Sequence, residues 1–172
     1  WLCLKLKIRG TFIDLNRAYE VNPRCHMLEA YIKTAEHPMP LVYPHLYLSA
    51  AEQSRSVVPA QSYAVIHLES LSAKNYRKVF GINWAALVQS LNERGMEVFQ
   101  IGNANEQIPG ATYIKTSIRD LVVLMAKARC FIGIDSGPSH FAASLKIPSV
   151  LFFGAVNPAY RHLFGQFNGK IM

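Results

Sequence analysis

The sequence predicts an α/β domain built on a doubly wound parallel sheet. Two observations carry the α/β part of this reading. From residue 62 onward, short runs that are apolar throughout alternate with segments of helical period. Strands apolar on every residue are buried on both faces, which requires helices on each side of a parallel sheet. The third observation is a strand followed by Asp135-Ser136-Gly137-Pro138-Ser139-His140, a turn that opens a helix.

The elements follow in order. Residues 1–8 alternate, with Leu2, Leu4, Leu6 and Ile8 on one face, and read as a strand. Asn22-Pro23 breaks the chain, and a helix with Met27, Leu28, Tyr31 and Ile32 on one side follows. Pro38, Pro40, Pro44 and Pro59 mark 37–60 as an extended connector with a short helical piece near Ser49–Gln53. Tyr63–Leu68 (YAVIHL) reads as a buried strand. Ile82–Arg94 reads as a helix with Trp84, Leu87, Val88 and Leu91 on its inner face, stopped by Gly95. Glu97–Ile101 and Ala111–Lys115 are strands. Ser117–Ala128 is a helix with Ser117 as N-cap and Ile118, Leu121, Val122 and Met125 turned inward. Cys130–Ile134 is a strand, Ser139–Leu145 a short helix, Ser149–Phe153 a strand, and Lys170-Ile171-Met172 the beginning of another. The division expected is 1–25 as one unit, 26–61 as a connector and 62–172 as the sheet domain, the resemblance described below implying that 1–25 is the remnant of an N-terminal acceptor domain.

Composition narrows the function classes. Of 172 residues, 51% are hydrophobic and 17% charged, against about 25% charged in an average soluble domain, so a disordered role is disfavoured. No apolar run reaches the ~18 residues that span a bilayer. Cys3, Cys25 and Cys130 form no CxxC pair, which disfavours a disulfide framework and a cysteine-rich zinc site and points to a reducing setting. The six histidines do not group along the chain at metal-ligand spacing, so no metal or other cofactor is expected. The net charge is +7 and unevenly placed: residues 1–69 hold 7 Lys/Arg and 6 Asp/Glu, residues 70–172 hold 11 and 5. The cations are scattered rather than interleaved with aromatics, which favours a phosphorylated small molecule over nucleic acid.

The turn at Asp135 is where chemistry is expected. Ligands of open α/β sheets bind beyond the carboxyl ends of strands. A helix starting there offers unpaired N–H groups and a partial positive charge, a ready site for phosphate. Gly137 would let a ligand approach the backbone, Pro138 suits a first helical turn, Ser136 and Ser139 would add hydroxyl donors, and His140 could donate to a phosphate oxygen. The turn is neither a Walker A loop nor a GxGxxG fingerprint.

The run FIGIDSGPSHFAASLKIPSVLFFGAVNPAYRHLFG, Phe131 to Gly165, resembles the C-terminal signature of glycosyltransferase family 9, the lipopolysaccharide heptosyltransferases and their relatives. The matching features are Asp135 to His140, Ala142-Ala143, Pro148 with Phe153-Gly154, and Pro158. Upstream, Lys78-x-Phe80 is similar to the family's basic residue and aromatic ahead of a helix, and Gly102 with Glu106 to its glycine-ended strand and glutamate. The resemblance implies a GT-B enzyme transferring a sugar, ADP-heptose being one candidate donor, with inversion, to a lipopolysaccharide or related glycan or lipid-linked acceptor. The donor's diphosphate would sit at Asp135–His140. Lys78 would neutralise the departing nucleoside diphosphate, with Arg77 and Lys74 as substitutes in another register, and Glu106 would take the ribose hydroxyls. Ser70 and Ser72 are further candidates. The general base would come from the N-terminal acceptor domain, most of which lies outside this chain. The enzyme would be cytoplasmic, at most peripheral on the inner membrane face. Glu69 departs from the family pattern by placing an anion beside the expected phosphate site. Two alternatives remain open at this point: a nucleotide-sugar epimerase of GT-B type and a non-catalytic nucleotide-binding module.

Overall fold

A computed structural model describes residues 25–36, 38–55, 57–58, 62–68, 79–102, 107–154, 156–163 and 166–172. The chain divides into two units, Trp1–Leu41 and Val42–Met172. In the first, α1 spans Met27–Ala35. The His26 ring caps it by accepting the Leu28 N–H at 3.1 Å, and Glu29 pairs with Lys33 one turn on. The strand expected at 1–8 lies outside the described residues.

The second unit opens with an irregular segment and α2 (Ala50–Ser54). Ser49 and Glu52 close a reciprocal capping box at its start. There follow β1 (Tyr63–His67), α3 (Trp84–Glu93), β2 (Glu97–Gln100), β3 (Thr112–Tyr113), α4 (Ile118–Ala126), β4 (Cys130–Ile134), α5 (Gly137–Ser144), β5 (Ser149–Phe152), a 3-10 turn at Pro158–Tyr160 and β6 (Gly169–Ile171). The six strands form one sheet in the order β3-β2-β1-β4-β5-β6, and every pairing is parallel. The fold class expected from the sequence is therefore the fold observed.

The period-2 geometry of β1 sorts the core into two faces. Tyr63 and Val65 pack with Phe99, Leu124, Met125, Phe131 and Ala142, the face covered by α4 and α5. Ala64 and Ile66 pack with Val88, Val98, Ile108 and Ile132, the face covered by α3. All five residues of β1 are buried, as a two-face-covered strand demands. The Tyr63 hydroxyl would be costly there without a partner, and it donates to the Leu124 carbonyl at 2.8 Å. Gly95, with φ of +76°, turns the chain out of α3 where a side chain would be strained.

Three details differ from the sequence expectation. Ile118 is 74% exposed instead of buried. It is the first residue of α4, and Cβ vectors tilt toward a helix N-terminus, so its side chain overhangs the end of the helix. The buried stripe of α4 is instead Val122 to Met125. Helix α5 begins at Gly137, ahead of the expected Ser139. Residues 42–55, expected as part of a connector, are tied to α4 by Arg119 to Glu52, by Arg55 to Asp120 at 2.5 Å, and by Lys127 Nζ to the Arg55 carbonyl at 2.6 Å.

At the sheet centre Gly133 pairs with His67 across β4 and β1. A Cβ on Gly133 would lie 2.5 Å from Cζ of the buried Phe131 ring and 3.1 Å from the His67 carbonyl oxygen. Gly133→Ala should therefore destabilise the protein by about 1–3 kcal/mol through overpacking. In thermal denaturation that is a drop of roughly 2–4 °C per kcal/mol for a chain this size. An unchanged melting temperature would show that the ring can swing aside at no cost.

Candidate functional site

The site follows from the strand order. The chain leaves β1 through α3 on one face and leaves β4 through α5 on the other, although β1 and β4 are neighbours. Their carboxyl ends thus flank the switch point, where open α/β sheets hold ligands. His67 ends β1; Asp135 and Ser136 follow β4.

The two ends are joined by one polar contact. Ser136 donates its hydroxyl proton to the Ile134 carbonyl at 3.1 Å, and His67 Nδ1 lies 3.0 Å from the same oxygen. With the serine proton committed, the imidazole donates from Nδ1. Burial pushes the His67 ring down to about 4, so it is neutral near pH 7.

The hydroxyls expected to meet phosphate are turned inward in this structure. Ser136 is buried and spent on His67 and Ile134. Ser139 is fully buried, donates to the Ser136 carbonyl at 2.7 Å and stands 3.2 Å from His162 Nε2. Both serines shape the turn. What remains for a ligand is the backbone and the rim. Gly137 begins α5 and is exposed, and a Cβ added to it would meet nothing within 4 Å. Its N–H is one of those a helix start leaves without an intrahelical partner. His140 lies flat on His162, with ring centroids 4.7 Å apart and planes 10° apart. Asp135 is buried, with Arg161 Nε 3.9 Å from its Oδ2. Pro138 holds the first turn of α5.

Lys78, Arg77, Lys74, Glu106, Ser70, Ser72 and Glu69 lie outside the described residues. The structure brings in four residues the sequence reading passed over. His67 carried a signal, as the polar member of an otherwise apolar strand. Arg161 and His162 form a basic pair after Asn157-Pro158, and Tyr43 carried no signal at all.

Asp135, His140 and His162 place one potential ligand atom each within 4.8 Å of one another. They do not fit a resident cation. Both nitrogens of His162 already face hydrogen-bond partners, Tyr43 and Ser139, and Asp135 faces the Arg161 guanidinium.

The His67 environment has a consequence for stability. Its pKa is about 4 folded and near 6.5 unfolded, so between these values only the unfolded chain takes up the proton. The stability it contributes is complete above pH 6.5 and lost as pH falls toward 4. Urea unfolding midpoints should decline through that window more steeply in the wild type than in His67→Gln. Parallel declines would remove His67 as the cause.

Comparison with known proteins agrees with this architecture. The sequence model of glycosyltransferase family 9 (heptosyltransferase) matches residues 5–167, a wider span than the motifs quoted above. Lipopolysaccharide heptosyltransferase 1 of Pseudomonas aeruginosa is 25% identical over 166 residues, covering 87% of this chain and 46% of that protein. The chain thus spans less than half the length of that relative. The structure of Escherichia coli ADP-heptose lipopolysaccharide heptosyltransferase II is similar with a TM-score of 0.67 at 21% identity, over 86% of this chain and 54% of that one, a likeness of fold. TibC of Escherichia coli, described as a dodecameric iron-containing heptosyltransferase in complex with ADP-D-β-D-heptose, is similar with a TM-score of 0.54 at 26% identity, over 64% of this chain and 32% of that one. With the family's model spanning nearly all of the chain and the parallel sheet matching its solved members, this chain belongs to glycosyltransferase family 9.

Proposed function

We propose that this chain binds the nucleoside diphosphate of a sugar donor and forms the donor side of an inverting glycosyl transfer to a lipopolysaccharide or related glycan acceptor. One observation supports the reading above the others: the N-terminus of α5 stands at the switch point with Gly137 facing open space. The partial positive charge of that helix end and its free N–H are matched to a diphosphate. His140, stacked on His162, and Arg161, beside Asp135, would add donors near the turn. ADP-heptose is the donor to test first, because ADP-D-β-D-heptose is bound in the related TibC.

In such a transfer the acceptor hydroxyl attacks the anomeric carbon from the face opposite the diphosphate. The bond to the diphosphate oxygen breaks, and negative charge grows on the leaving group. The helix end would stabilise that charge in place. Lys78 would add a mobile ammonium, and Glu106 would accept hydrogen bonds from the ribose hydroxyls. The base that takes the acceptor proton would come from an acceptor domain preceding this unit. Among the described residues no helix is long and apolar enough to cross a membrane, which is compatible with peripheral work at the cytoplasmic membrane face.

Gly137 makes the reading testable without disturbing the fold. It does not have a positive φ, and its missing side chain would point into open space, so Gly137→Ala should leave stability equal or slightly raised. A diphosphate seated over it would be displaced, and affinity for ADP should fall about tenfold, ~1.4 kcal/mol. Affinity for adenosine should hold. In a thermal-shift assay with ADP, UDP and GDP, at least one should raise the wild-type melting temperature. Lys78→Ala should shrink that shift. Equal ADP affinity in wild type and Gly137→Ala would place the diphosphate elsewhere.

A further inference from the structure

From the turn, one chain of hydrogen bonds runs back to the start of the second unit. The Leu163 N–H donates to the Tyr43 hydroxyl oxygen at 2.9 Å. That hydroxyl lies 2.8 Å from His162 Nδ1. His162 Nε2 lies 3.2 Å from Ser139 Oγ, which donates to the Ser136 carbonyl at 2.7 Å. Each link has one proton to give, so the direction is fixed from its ends. Tyr43 accepts from Leu163 and donates to Nδ1. The imidazole proton is then on Nε2 and goes to Ser139, whose own proton goes to Ser136.

His162 is held on its other sides as well. It is 1% exposed. Phe153 and Phe167 meet it edge-on, at centroid distances of 5.8 and 5.5 Å, and His140 covers one face. A ring fixed in plane, rotation and tautomer fixes in turn the two parts of the turn that flank Gly137. These are the Ser136–Ser139 loop closure and the His140 ring. Tyr43 is held by its own backbone as well, through its N–H to Gln166 Oε1 at 3.3 Å. It is separated from His162 by 119 residues and is the second residue of its unit.

We infer that Tyr43 and His162 are positioning residues for donor binding: the Tyr43 hydroxyl locks the His162 ring, and that ring sets His140 and Ser139 in the geometry that receives the diphosphate. The inference rests on the donor-binding reading above. Neither residue touches the ligand in this scheme. Their effect falls on the diphosphate and spares the nucleoside.

The test is a double-mutant cycle on the 172-residue chain, read by calorimetric titration with ADP and with adenosine. Tyr43→Phe keeps the ring and removes one hydroxyl; Ser139→Ala removes the partner of Nε2. Each should weaken ADP binding about threefold to tenfold, the effect of one lost hydrogen bond, and leave adenosine binding unchanged. Because both act through one ring, the double variant should lose less than the product of the two. Histidine-ring nitrogen NMR should place the His162 proton on Nε2 in the wild type and show a tautomer mixture in Tyr43→Phe. A purely structural role would lower the melting temperature, leave ADP affinity intact in the folded variants and so overturn the inference. So would a wild-type proton on Nδ1. A wild-type chain that binds no ADP removes both the donor-binding reading and this inference. ADP bound equally by wild type and Tyr43→Phe removes only the second.

Discussion

The structure depends on the parallel pairing of β1 with β4, two neighbours whose chains depart to opposite faces. Parallel pairing puts both carboxyl ends on one edge, and the helices that follow the two strands lie on opposite faces of the sheet. Two backbones end there side by side, with polar groups that need partners in a buried place. The Ser136 hydroxyl answers both needs, reaching the Ile134 carbonyl of its own strand and the His67 ring of the neighbouring one. Gly133 belongs to the same solution, since the carbonyl of His67 and the ring of Phe131 leave no room for a Cβ between them.

This explains why the turn spends its side chains inward. A hydroxyl held in a buried network is rigid but unavailable, whereas a backbone N–H at a helix start is rigid and still directed outward. Ser136 and Ser139 provide the first kind of group and Gly137 the second. Electrostatic preorganisation needs donors that do not have to reorganise when charge develops. A turn braced from beneath by His67 and from behind by His162 meets that condition better than one presenting mobile hydroxyls.

The sheet was legible because its cause is local. YAVIH and CFIGI are largely apolar runs of strand length between helical periods, with the shorter EVFQ between them, and that pattern permits little besides a covered parallel sheet. The helix stripes were legible for the same reason, except at Ile118, where position along the helix outweighs its apolar character. The turn stood out in the sequence because a strand, a small-residue loop and a helix start are contiguous. The direction of its hydroxyls was not legible, because it is decided by His67 and His162, which lie 69 and 23 residues away. Tyr43 was the least legible. It lies in a proline-rich stretch whose composition signals extension, and only the fold reveals a partner across 119 residues.

The charge distribution gains a sharper meaning from the same geometry. Much of the basic excess after residue 70 could have served any polyanion. Arg119 and Lys127, however, are committed to the segment at 42–55, together with the return pair from Arg55 to Asp120. Isolated exposed pairs of this kind contribute little, but several spanning one short segment share the entropy cost of ordering it. They hold the segment that carries Tyr43. At the carboxyl ends of β1 and β4 the described residues bring together Arg161 against Asp135, His140, and the start of α5. A nucleic-acid backbone needs a stripe of cations along its path. A compact cluster at a helix N-terminus suits the diphosphate of the proposed reading better, and because Asp135 beside Arg161 limits the net positive charge there, such a ligand would be held by directed donors more than by bulk attraction.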